Sequence, residues 1–151
     1  MRYTGRNGEL NFEEDFIKLL QEVDWESKVI KNPTEKDLIE NWKQILFENN
    51  KKDLNNIPLS DTEMEQIINH IRIHCTTPDK AHHFINGENF AIKRDNDSTD
   101  TENAGKEVYL TLYNRAEIGG GNSRYQIVEQ PQFLTGKDYR NRRGDVLLLI
   151  N

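Results

Sequence analysis

The run Val146-Leu147-Leu148-Leu149-Ile150 is the longest unbroken apolar stretch in the chain, and it follows directly on Asp145. A short run of leucine and β-branched residues without polar alternation reads as a strand buried on both faces. Such a strand belongs in the middle of a sheet, so Asp145 stands at the mouth of a central strand. A carboxylate in that place is costly unless it is paired or holds a metal ion. Two readings follow: Asp145 caps the strand or pairs with a neighbouring arginine, or it is a metal ligand. The densest basic patch of the chain, Arg140, Arg142 and Arg143, lies immediately upstream.

The 151 residues amount to one domain's worth of chain, with 34% apolar and 30% charged residues, so the core is expected to be modest. A net charge of -6 is wrong for a protein that lives by wrapping nucleic acid, because phosphate binding needs clustered Lys and Arg. A site that touches DNA briefly, while other domains hold it, can tolerate an acidic remainder. The segment Met1 to Glu9 is polar, without a signal-type apolar stretch, and nothing approaches the ~20 apolar residues of a membrane span. A single cysteine, Cys75, excludes an internal disulfide and suits a reducing, cytoplasmic setting.

Along the chain, Asn11 with Glu14 three residues on reads as a capping box, and Phe12, Phe16, Leu19, Leu20 and Val23 recur at helical spacing. Glu13 falls at the edge of that apolar face, where a first-turn glutamate is favoured by the helix dipole. Pro33-Thr34 stops one element and caps a helix striped by Leu38, Trp42, Ile45 and Leu46. Ser60-Asp61-Thr62-Glu63 is a second capping box, followed by Met64, Ile67, Ile68 and Ile71. These two helices read as scaffold or insertion. Phe84-Ile85-Asn86-Gly87 and Phe90-Ala91-Ile92 read as a hairpin around Asn-Gly, and the polar stretch from Asp95 to Lys106 as a flexible loop. Val108 to Tyr113 and Arg124 to Gln130 read as strands, the second ended by Pro131.

Three motifs carry no chemistry. His70, His74 and Cys75, with His82-His83, lack the general-base Glu and the Cys-x-x-Cys of zinc sites. Gly119-Gly120-Gly121 has no following Gly-Lys-Ser/Thr and is a turn, not a phosphate loop. Arg143-Gly144-Asp145 at a buried strand is a chance integrin-like tripeptide.

Arg142-Arg143-Gly144-Asp145 followed by an apolar strand and Asn151 resembles the start of the nuclease motif in the restriction (R) subunits of type I restriction–modification enzymes, members of the PD-(D/E)xK superfamily. In that family an Arg-Arg-Pro-Asp or similar stretch leads into a strand ending in Asn-Gly, and a second strand carries Glu-x-Lys. Gly144 replaces the commoner proline here, and the sequence stops at Asn151 before any Glu-x-Lys. The resemblance extends to Phe12-Glu13 through Asp24-Trp25-Glu26, similar to the family's opening helix except that Asp24 stands where Gly is usual. It also takes in Asn122-x-x-Tyr125 to Gln130, then Phe133, similar to the family's aromatic-containing strand ending in Gln just upstream of the aspartate.

The resemblance implies an α+β, restriction-endonuclease-like fold: one incomplete domain over 1–151, helical over 11–75 and mainly β over 82–151, truncated before the Glu-x-Lys strand. It implies Asp145 as a ligand of Mg²⁺ and catalytic residue, Glu13 as a second site carboxylate, and Arg140, Arg142 and Arg143 as contacts to double-stranded DNA. ATP-driven translocation would belong to downstream motor domains outside this chain, and the partners would be the modification and specificity subunits. By itself the chain is expected to be inactive, to bind Mg²⁺ poorly and to self-associate through an exposed strand edge. Two rival expectations are a non-catalytic acidic docking domain and an anti-restriction DNA mimic.

Overall fold

The computed structural model describes residues 5–87, 90–112, 124–135, 140–143 and 146–150, and of 5–7, 9, 85–87, 133–135 and 140–143 it describes the backbone alone. In chain order the elements are helix α1 (Gly5–Gln21), strand β1 (Ile30–Lys31), helices α2 (Glu35–Asn49), α3 (Asp61–His74) and α4 (Pro78–Gly87), then strands β2 (Phe90–Lys93), β3 (Glu107–Leu110), β4 (Tyr125–Glu129), β5 (Gln132–Thr135), β6 (Arg140–Arg143) and β7 (Val146–Ile150). The chain is therefore α+β. It forms two compact units, residues 1–40 with 119–151 and residues 41–118. No helix among the described residues is long and apolar enough to cross a membrane.

In the first unit α1 packs on a three-stranded mixed sheet of order β1-β4-β7. β4 is its centre, parallel to β1 and antiparallel to β7. Ile17 and Leu20 bury against Ile127 of β4, with Phe16, Trp25, Val29 and Val146 around them. The ring of Trp25 meets Tyr125 edge-on at 5.4 Å between centroids. Two expectations are corrected here. α1 begins at Gly5, so Asn11 is not its cap and Glu13 is not in its first turn. The strand buried on both faces is β4, whose Gln126, Ile127 and Val128 are all buried, not β7. β7 is paired on one side only among the described residues, and Leu148 and Ile150 are 39% and 49% exposed. Among the described residues β7 is therefore an edge strand of this sheet and not its centre.

Past β4 the backbone turns out of the sheet at Gln130, whose φ of 49° is left-handed, and continues as β5, paired antiparallel to β6. β5 is tied to the segment before α2 by Gln132 N–H donating to Pro33 O at 2.8 Å. Thr34 and Asp37 cap α2 reciprocally, each side chain accepting from the other's backbone N–H.

The second unit is held by Ile45, Leu46, Leu54, Leu59, Met64, Ile67, Phe90, Ile92, Val108 and Leu110. Ser60 and Glu63 form the capping box of α3 that their spacing predicts. The expected hairpin over 84–92 is instead helix α4 followed by β2, which pairs with β3. The helix is set by Thr77-Pro78: the Thr77 hydroxyl accepts from Lys80 N–H at 3.3 Å, and proline suits a first helical position. The stretch from Asp95 to Lys106 is not a loose loop. Its Asp100 is buried and accepts hydrogen bonds from Asn55 and Asn103, and Arg94 at its start is fully buried.

Candidate functional site

Of the residues singled out in the sequence, Glu13, Arg140, Arg142 and Arg143 fall in the first unit, whose β4–β7 ladder ends at the Glu129–Val146 pair. Glu13 lies on the buried face of α1, one turn before Ile17, and is only 6% exposed. A buried carboxylate requires compensation by hydrogen bonds or charge. Among the described residues Glu13 has one hydrogen-bonding partner, the Gln130 side-chain amide, which donates from Nε2 to Oε2 at a long 3.4 Å. No described Lys, Arg or His side chain lies within ion-pair distance of it. A neutral amide at that distance is weak compensation for a buried carboxylate.

Gln130 is itself held in an unusual conformation. Its left-handed backbone costs a non-glycine residue roughly 1–2 kcal/mol. The same turn aims its side chain back at α1. Next to it, Glu129 takes an ion pair from Lys31 Nζ at 3.5 Å and pairs across the ladder with Val146, the first residue of β7. On the other side of the turn Gln132 pairs with Arg143, the last residue of β6. The β4–β7 and β5–β6 ladders are therefore separated by two residues on each strand, 130–131 and 144–145, with no shift of register between them.

Asp145 lies outside the described residues, as does Gly144; its flanking residues Arg143 and Val146 do not. Arg140, Arg142 and Arg143 occupy β6 at register positions opposite Thr135, Phe133 and Gln132. The glycine run 119–121 also lies outside the described residues. The structure thus brings Glu13, Gln130 and Glu129 together beside the start of β7. Gln130 appeared in the sequence as the end of a strand, with no sign that it reaches Glu13. Its only local signal is the Gln-Pro step, which marks a break and no more.

Two other side-chain clusters lie in the second unit. His70 and His74 stack with ring centroids 3.9 Å apart, and His70 also meets Phe90 edge-on at 4.5 Å. Burial, and then the neighbouring His74, hold the His70 imidazole below its ordinary value. His70 is half-buried and His74 exposed, so the stack lies at the surface and packs on phenylalanine at its inner end. No group of three or more His, Cys, Asp or Glu among the described residues could hold a metal ion. The second cluster, Arg94 with Glu63 and Asp100, is an ion-pair network sealed from solvent, with Arg94 Nη1 donating to Glu63 Oε2 at 2.7 Å.

Comparison with protein-family models, with curated proteins and with solved structures gave no match.

Proposed function

We propose that the first unit is the N-terminal part of a metal-dependent nuclease domain of the kind found in type I restriction R subunits, acting on double-stranded DNA. The observation that carries the reading is the buried Glu13, compensated only by Gln130 among the described residues, at the end of the sheet where the chain enters β7. The helix glutamate and the strand-ending glutamine of the sequence resemblance touch each other, and the ladder residue before that glutamine pairs with Val146, which follows Asp145 in the chain.

A second detail supports it. Asp24, which stands where the resembling helices carry glycine, has φ 71°. A left-handed residue closing a helix is the position glycine favours, so the resemblance and the backbone agree on a physical requirement. Trp25 follows and packs on the helix's own core cluster.

Hard oxygen donors suit Mg²⁺, and the ion would be held by Asp145 with Glu13. When bound it would supply positive charge to the scissile phosphate and a more acidic water. Gln130 would fix the Glu13 carboxylate, and Arg143 would neutralise phosphate charge next to the aspartate. Two carboxylates are few for an ion that dehydrates reluctantly, so this chain alone should bind Mg²⁺ weakly and leave DNA uncut.

The test uses Mn²⁺ as a paramagnetic probe. Titrated at millimolar levels into the chain, it should broaden the backbone amide signals of Glu13, Gln130 and Val146 first, and Asp145→Ala should remove that pattern. Broadening spread over the acidic surface, or unchanged by Asp145→Ala, would overturn the site.

A further inference from the structure

The acidic character of the chain is not uniform. Between Gln132 and Arg143 there are four basic residues, Lys137, Arg140, Arg142 and Arg143, against one acidic residue, Asp138. That segment carries +3, so with -6 for the whole chain the remainder carries -9. The segment is also a distinct piece of structure. β5 and β6 form their own two-stranded ladder, continuing the register of β4 and β7 beyond the interruption at 130–131 and 144–145. A basic two-stranded ribbon therefore extends from the end of the sheet at which the candidate site lies.

The register assigns its faces. Phe133 is opposite Arg142 and Thr135 is opposite Arg140, while Gln132 is opposite Arg143 and Leu134 is opposite Asn141. Cross-strand partners share a face, and faces alternate along each strand. Positions 133, 135, 140 and 142 thus make one face with two arginines, an aromatic and a threonine. The other face has a single arginine, at the position nearest the site. Arginine and hydroxyl groups that bond phosphate, beside an aromatic ring, are the composition of nucleic-acid contact surfaces.

We infer that the β5–β6 ribbon is a docking arm for duplex DNA, its Phe133/Thr135/Arg140/Arg142 face lying along the sugar–phosphate backbone beside the cleavage site. The choice of duplex DNA as the polyanion rests on the nuclease reading; the arm itself rests on the charge and the register. From Arg143 to Arg140 the described strand spans three residue steps, about 10 Å at strand rise, which matches about three base-pair steps of B-DNA. The arm would therefore hold about three base pairs to one side of the scissile phosphate. A net charge of -9 elsewhere repels the duplex from other surfaces and leaves this arm as the place of contact.

The experiment measures binding of a fluorescently labelled DNA duplex to this chain by anisotropy, across a range of salt. Binding should be weak, visible at low salt, and steeply salt-dependent. Replacing Arg140→Gln and Arg142→Gln together should lower the slope of log affinity against log salt by about 1.8, at about 0.9 per lost phosphate contact. Lys51→Gln with Lys52→Gln, which removes the same charge from an exposed turn of the second unit, should leave the slope as it was. Arg140→Lys with Arg142→Lys should restore it. Amide shift changes in the wild-type chain on adding duplex should centre on 132–143, which keeps the inference testable should the arginine variants misfold. Equal effects of the arginine and lysine pairs, no binding at low salt, shift changes centred elsewhere, or tighter binding of single-stranded RNA would each overturn the arm. Duplex binding without Mn²⁺ binding at Glu13 would sink the nuclease reading alone, and the reverse would sink the arm alone.

Discussion

Glu13 shows how far a single residue can be read. Its spacing from Phe16, Ile17 and Leu20 puts it near the buried face, and the structure buries it. Its surroundings were not legible, because the partner Gln130 is 117 residues away in sequence. A glutamate that serves stability and one that serves a metal respond differently to replacement. Glu13→Met keeps helix propensity and approximate volume while removing a charge that one long amide bond compensates poorly. The variant should match or exceed the wild type in urea denaturation, by up to about 1 kcal/mol, while losing Mn²⁺ binding. A clear loss of stability would make Glu13 a structural residue. Asp24 offers the complementary case. Its φ of 71° strains an L residue, and its negative charge sits at the unfavourable end of α1. Asp24→Gly should raise the thermal midpoint, corresponding to about 0.5–1 kcal/mol.

At the scale of elements, what could be read were the signals confined to a few neighbouring residues. The Ser60–Glu63 box and the Thr34 cap are present where their spacing places them, and of the alternation expected over Val108 to Tyr113 the part up to Leu110 is strand. What failed depends on competition between local signals or on distant partners. Asn86-Gly87 suggested a turn, but the Thr77-Pro78 start outweighed it and the glycine ends α4 instead. Nothing local marks Arg94 as buried. Its partner Glu63 is recruited from a helix cap, using one carboxylate to close the box, pair with Arg94 and accept from Asp95 N–H. Arg94→Leu would leave Glu63 and Asp100 buried without their cation, at a cost of about 3–5 kcal/mol. Hydrogen exchange should show protection lost across 57–111, and preserved exchange there would refute the network's role. The same network is sensitive to acid. Burial pushes the Asp100 carboxyl up, but the hydrogen bonds from Asn55 and Asn103 and the charge of Arg94 outweigh it and hold the group below its ordinary value. Its stabilising contribution is therefore complete above the unfolded value near 3.8 and is lost as pH falls through the lower folded one. His70, also lowered, destabilises the fold earlier, as pH drops below about 6.5, since the unfolded imidazole takes up its proton first. Urea midpoints measured from pH 7 to pH 3 should decline in those two steps.

For the whole molecule, the division of labour is the testable point. The first unit contains Glu13, Gln130 and both strands that flank position 145, and the second contains a sealed core with no candidate chemistry among its described residues. In the longer enzyme that the resemblance implies, cleavage would depend on a carboxylate at the mouth of β7, while ATP hydrolysis and translocation would use phosphate-binding elements elsewhere. Asp145→Ala in that enzyme should therefore abolish DNA cleavage and leave ATPase activity and translocation at wild-type rates. On the nuclease reading the substitution would remove a metal ligand while leaving the core residues Ile17, Leu20 and Ile127 unchanged. Glu13→Gln should act in the same direction but less strongly, because it preserves shape and the hydrogen-bonding reach to Gln130 while weakening the hold on a cation. Parallel measurement of cleavage and ATP turnover separates these outcomes. An Asp145→Ala enzyme that folds, translocates and cuts DNA at the wild-type rate would end the nuclease reading and favour a docking role for this part of the chain.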